Sequence, residues 1–205
     1  GIDIQTGERP PNILDFSKHQ PRVVIWTGPA WEPWNKQKVD EGMAGSETWA
    51  SYLAREFVKK GFRTTIYNDL LSDSKSDIVL DPVLSENGEK IGDVIYRDHT
   101  RMAADVEYDV IDYFIASRST EPLKLNIHAL KKFVMIHDVW LSPDKNYDTM
   151  TWQVEKYAYL SDWHRRFLNQ HHGLISDKMF LTGNGQDFSL YSDVDSYKKK
   201  NQAVY

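Results

Sequence analysis

His137 and Asp138 directly follow the apolar run Phe133-Val134-Met135-Ile136. A polar pair at the carboxyl end of a buried strand sits where α/β proteins build their sites. An imidazole there can hydrogen-bond a hydroxyl, or a phosphate when protonated; the plainer alternative is a His satisfied by nearby backbone. Ser117 and Arg118 close the preceding apolar run in the same way. Arg118 suits a bidentate grip on phosphate or carboxylate, or a surface ion pair. A third cluster is the small-residue stretch Gly42-Met43-Ala44-Gly45-Ser46, which leads into an amphipathic segment. The backbone amides of Gly45, Ser46 and Glu47 would point at an anion, aided by the helix dipole. Ordinary loop-to-helix capping is the alternative, and Glu47 repels a phosphate unless it faces away. Trp31 and Trp34 lie just upstream among prolines, where they either stack on a ligand or pin the loop.

The elements that position these residues follow from periodicity. Residues 22–27 read as a short buried strand. A long loop follows, then a helix whose expected N-cap is Ser46. Trp49, Ala50, Leu53, Ala54, Phe57 and Val58 recur at helical spacing. Gly61 suits the left-handed position that ends the helix, and residues 63–68 return as a parallel strand. Asn87-Gly88 suggests a hairpin. Further strands are expected at 109–116, 132–137, 154–160 and 178–182, with a short helix or loop at 120–130. Ser161 is the expected cap of a helix over 162–172, with Trp163, Phe167 and Leu168 inward. Residues 1–20 read as an extended N-terminal arm. Residues 21–205 read as one α/β domain, a Rossmann-like, mainly parallel sheet with helices on both faces.

Composition narrows the function. The 205 residues carry 25 Lys plus Arg against 30 Asp plus Glu, a net charge of −5. That balance argues against a general nucleic-acid footprint. There are no cysteines, which excludes disulfides, thiolate chemistry and Cys-ligated zinc. No apolar run approaches the ~20 residues of a membrane span, and no secretory signal opens the chain. A cytoplasmic location is the expectation. The adjacent His171 and His172 do not share a helix face, and no metal constellation stands out. Neither a GxGxxG fingerprint nor a P-loop is present.

The order of these segments resembles the N-terminal domain of GT-B glycosyltransferases of the family 4 type. The segments are AGSETWASYLAREFVKKGFRTTIYND, DVIDYFIASR, FVMIHD and YLSDWHRRFLNQHHGLISDKMFLTGNGQD. Ser161, His172-Gly173, Asp177-Lys178 and Asn184-Gly185-Gln186-Asp187 fall where that family carries a serine, a short loop and a final Asn-Gly-x-Asp. The resemblance implies one half of a two-domain enzyme that moves a sugar from a nucleotide-sugar to a glycan or other hydroxyl acceptor. It implies retained configuration, no cofactor and no obligatory metal. This half would chiefly hold the acceptor, with a second Rossmann-like domain in the parent protein binding the donor. By position, Gly45 and Ser46 would approach the donor diphosphate, and His137, with Asp138, would lie near the transferred sugar. Arg118 and Trp31 are the candidates for sugar or acceptor contact. Two other functions stand beside this one. The first is a non-catalytic carbohydrate-binding or interaction module on the same scaffold. The second is a nicotinamide-dependent oxidoreductase, disfavoured by the missing glycine fingerprint.

Overall fold

The computed structural model describes residues 20–43, 45–71, 75, 77–139, 151–174 and 176–183. The expected arm, apart from Gln20, and the Asn184–Asp187 segment lie outside the described residues. Strand β1 (Arg22–Gly28) is buried along nearly its whole length, as an interior parallel strand must be. It is followed by helices α1 (Lys36–Gly42) and α2 (Gly45–Lys59), then by β2 (Arg63–Asn68). An antiparallel hairpin of β3 (Val79–Leu84) and β4 (Lys90–Asp98) comes next. A short helix α3 (Met102–Val106) leads to β5 (Ile111–Ser117) and β6 (Ala129–Met135). The remaining elements are β7 (Lys156–Tyr159), helix α4 (Asp162–His172) and β8 (Met179–Leu181).

These strands form one eight-stranded sheet in the order β3-β4-β2-β1-β5-β6-β7-β8. Every neighbouring pair runs parallel except β3 with β4. From β1 the chain builds outward through β2 to the hairpin. It then returns to the other side of β1 and builds outward again from β5 to β8. The direction reverses between β1 and β5, so the crevice of this Rossmann-like sheet opens at their carboxyl ends.

Alternation along the strands sends side chains to two cores. Val23 and Ile25 of β1 join Ala50, Ala54 and Val58 of α2 on one face. Val24 and Trp26 join Met102 and Val106 of α3 and Leu168 of α4 on the other. Helices therefore cover both faces. The fully buried Ala50 and Ala54 let α2 lie close to the sheet. Gly61, at φ 86°, ends α2 by the expected left-handed turn. Gly88, at φ 81°, makes the expected hairpin turn.

Several expectations need correction. The stretch after β1 is not one long loop, because α1 interrupts it. Asn35 caps α1 by accepting from the Lys38 amide at 3.1 Å. Its sequence is almost wholly polar and buries only Val39, so no apolar stripe announces it. Ser46 is not the cap of α2; the helix already includes Gly45. Strand bounds shift by up to a few residues, most at β6, which begins at Ala129 and ends before His137. Residues 121–124 form a 3-10 turn. On α4, Ser161 caps as expected, accepting from the His164 amide at 3.1 Å. The inward side chains there are His164 and Leu168, with Phe167 half-buried. Trp163 is 59% exposed, and its ring stacks on Phe167.

Candidate functional site

Arg118 is the first residue beyond β5 and sits at the switch point. It is the only non-glycine with positive φ (65°) among the described residues. A left-handed arginine is costly and persists where the surroundings fix it. Here its amide donates to the Met135 carbonyl at 2.8 Å, tying the end of β5 to β6. The guanidinium then reaches across the crevice. Nη1 donates to Ser46 Oγ at 3.3 Å and lies 3.8 Å from Glu47 Oε1. Nη2 lies 3.5 Å from Asp138 Oδ2. Ser46 Oγ in turn donates to Glu47 Oε2 at 2.7 Å.

Glu47 has therefore turned inward. It is only 6% exposed and is paired with Arg118 rather than projecting from the helix tip. Its negative charge occupies the same first turn that Gly45 and Ser46 would offer to a diphosphate. Gly45 itself is exposed, and a Cβ built on it would meet nothing within 4 Å. The protein does not require glycine there for packing.

His137 lies under the first turns of α2. Its ring meets Trp49 edge-on, with centroids 4.8 Å apart. Its Nε2 is buried and makes no hydrogen bond among the described residues. Burial pushes its pKa down to about 4, helped by the positive charge of Arg118 and opposed by Asp138. The ring is neutral near pH 7, with one donor and one acceptor nitrogen. That state suits a hydroxyl better than a phosphate.

The loop carrying His137 is held from the α4 side. The Asp138 carbonyl accepts from His164 Nε2 at 3.0 Å, and the Val139 carbonyl accepts from His172 Nε2 at 3.0 Å.

Five of the six sequence candidates (Gly45, Ser46, Arg118, His137 and Asp138) thus come together around α2 and the ends of β5 and β6. Trp31 does not join them. It is 97% exposed on the loop after β1, while Trp34 is fully buried and packs edge-on against Tyr96. Three further participants stand beside these. Glu47, by its charge a repeller of phosphate, is instead a partner of Arg118. Ser117 reads in the sequence only as the end of a strand, yet its buried Oγ has no hydrogen bond among the described residues. His164 carried no signal, because its role depends on a carbonyl 26 residues away.

The unsatisfied buried atoms mark the same edge. Asn68 Oδ1 ends β2, Ser117 Oγ ends β5, His137 Nε2 follows β6 and Trp34 Nε1 sits in the loop after β1. Such atoms are few in native proteins and call for an explanation. Only Arg22 Nε, of those found among the described residues, lies at the other end of the sheet. No group of His, Asp and Glu side chains among the described residues is arranged to hold a metal. No helix among them is long and apolar enough to cross a membrane. In comparisons with known proteins, neither a protein-family model nor a curated protein matches the chain.

Proposed function

We propose that this chain is the acceptor-side half of a glycosyltransferase that moves a sugar from a nucleotide-sugar to a hydroxyl acceptor. The observation that carries the reading is the neutral, half-buried His137, whose buried Nε2 has no hydrogen-bond partner among the described residues, beside Arg118, Ser46 and Asp138 at the switch point. These groups offer both donors and acceptors to an uncharged polyhydroxyl ligand. In transfer, the bond from the anomeric carbon to the diphosphate breaks, and a bond to the acceptor oxygen forms. The hydroxyl proton leaves with the departing diphosphate. His137 holds a sugar hydroxyl near the reacting carbon, so its contribution is positioning. Gly45 and Ser46 approach the donor diphosphate on this reading, and Glu47, in the same turn, must then swing away from it. The donor half belongs to a second Rossmann-like domain on this reading, as the resemblance implies.

The test is turnover by the natural full-length protein with a panel of nucleotide-sugars and hydroxyl acceptors. His137→Ala should lower kcat on the order of 100-fold, the usual cost of one preorganised hydrogen-bonding group, with the fold intact by circular dichroism. Near-wild-type turnover removes His137 from the site. The exposed Trp31 favours the alternative of a non-catalytic carbohydrate-binding module, since a solvent-facing indole is a stacking surface for a sugar ring. Glycan binding that is lost in Trp31→Ala, without transfer by the full-length protein, would establish that alternative.

A further inference from the structure

Helix α4 makes contacts that the proposed function does not use. Two of its histidines bond consecutive carbonyls of one loop, Asp138 O and Val139 O, each at 3.0 Å. A carbonyl oxygen only accepts, so Nε2 carries the proton in both rings. For His164 the tautomer is fixed twice over, because its Nδ1 accepts from the Leu160 amide at 3.3 Å. His164 is itself nearly fully buried, at 4% exposed. A buried ring satisfied at both nitrogens, and seated by the Ser161 cap, has one orientation available. The loop it grips begins at Ile136, whose amide is held by the Ala158 carbonyl at 3.0 Å.

We propose that His164 and His172 are positioning residues: they hold the loop after β6 so that the His137 ring stays under Trp49 with Asp138 facing Arg118. His164 supplies the larger share, because it is buried and doubly bonded, while His172 is only partly buried. The inference concerns the free chain and does not depend on glycosyl transfer.

The groups around His137 define what release of the loop would change. Trp49 faces it from α2, Arg118 from the end of β5, Asp138 from its own loop and His164 from α4; Glu47 stands behind Arg118, which it pairs. A released loop would expose the ring to water and carry it away from Arg118. Both changes make His137 easier to protonate and easier to modify.

The experiment is acylation of the free chain by diethylpyrocarbonate at pH 7, with the rate at His137 read by peptide mass spectrometry. Histidine side-chain NMR follows the His137 titration in parallel. In wild type, His137 should react slowly. In His164→Phe it should react faster by about fivefold, the factor by which one lost hydrogen bond shifts an opening equilibrium, and its pKa should rise toward 6.5. His164→Gln keeps an N–H donor, so it should restore protection. His172→Phe should give a smaller increase in the same direction. An unchanged His137 rate in folded His164→Phe overturns the proposal, as does His164→Gln behaving like His164→Phe. If His164→Phe does not fold, His172→Phe decides: a faster His137 supports the clamp, and an unchanged rate overturns it.

Discussion

At the scale of single residues, the two titratable groups that matter most are His137 and Glu47, and burial governs both. His137 is held neutral, with its pKa lowered from 6.5 to about 4, first by desolvation and then by Arg118. The sign of the consequence is fixed. Between pH 6.5 and 4 the unfolded chain binds a proton at this position and the folded chain does not. Stability from this group is complete above pH 6.5 and is lost as pH falls through that window, by about 3 kcal/mol in all. Urea unfolding of wild type and His137→Phe across pH 4–7 should show this component in wild type only. Parallel curves would mean that His137 titrates alike in the folded and unfolded chain, with no shift from burial. Glu47 presents the opposite case, a carboxylate with an 8% exposed side chain beside a 38% exposed Arg118. At 3.8 Å the pair is loose, and the shared Ser46 hydroxyl completes it. Arg118→Ala should cost about 1–2 kcal/mol, less than a fully buried pair because one partner is wet. Adding Glu47→Gln to that variant should recover part of the loss, since the stranded charge is then gone. Strict additivity in the double-mutant cycle would show that the two side chains do not interact.

At the scale of elements, what the sequence revealed depended on whether the determining interactions were local. The strand β1, the helix α2 and its Gly61 stop, the Asn87-Gly88 turn and the Ser161 cap are all set by neighbours within a few residues. Each was legible from periodicity or capping chemistry. Helix α1 was not, because a helix with one buried side chain, Val39, has no apolar stripe to read. The Ser46 cap failed for a tertiary reason. Its hydroxyl is engaged by Arg118, 72 residues away, and by Glu47. Hydrophobicity alone points Trp163 inward, yet His164 takes the buried position, because its two nitrogens find partners there. That arrangement makes the start of α4 a sensitive point. Ser161→Ala removes the acceptor for the His164 amide and should cost about 1 kcal/mol, the usual price of a lost N-cap. Thermal unfolding measures the loss. Amide exchange should localise it to the first turn of α4 and to the 136–139 loop. A loss confined to the helix would mean that the cap does not seat His164.

At the scale of the whole molecule, the sheet order decides where chemistry is possible, and it was only partly legible. Alternating strands and helices implied a parallel sheet, but no local pattern specifies that β1 lies between β2 and β5. That pairing brings the end of β5 beside α2, so that Arg118, Ser46 and Glu47 meet, and it leaves the crevice between two outward-running halves. The charge of this crevice limits what it binds alone. Arg118 is flanked by Glu47 and Asp138, and His137 is neutral, so this guanidinium is already paired with carboxylates. A diphosphate brought to it must compete with those carboxylates, and the favourable amides at the start of α2 share their turn with Glu47. At the ordinary strength of exposed pairs, one such repulsion already offsets much of what a helix N-terminus contributes. The described domain should therefore bind nucleotide-sugars weakly or not at all, even if the full-length protein transfers them. Calorimetry with UDP- and GDP-sugars against the isolated chain checks this, and millimolar or undetectable binding is the expected result. Glu47→Gln should then strengthen any residual binding. Micromolar binding by the wild-type chain would instead place the donor site within this domain. It would require Glu47 to move off the helix start, and the division into an acceptor half and a donor half would fall.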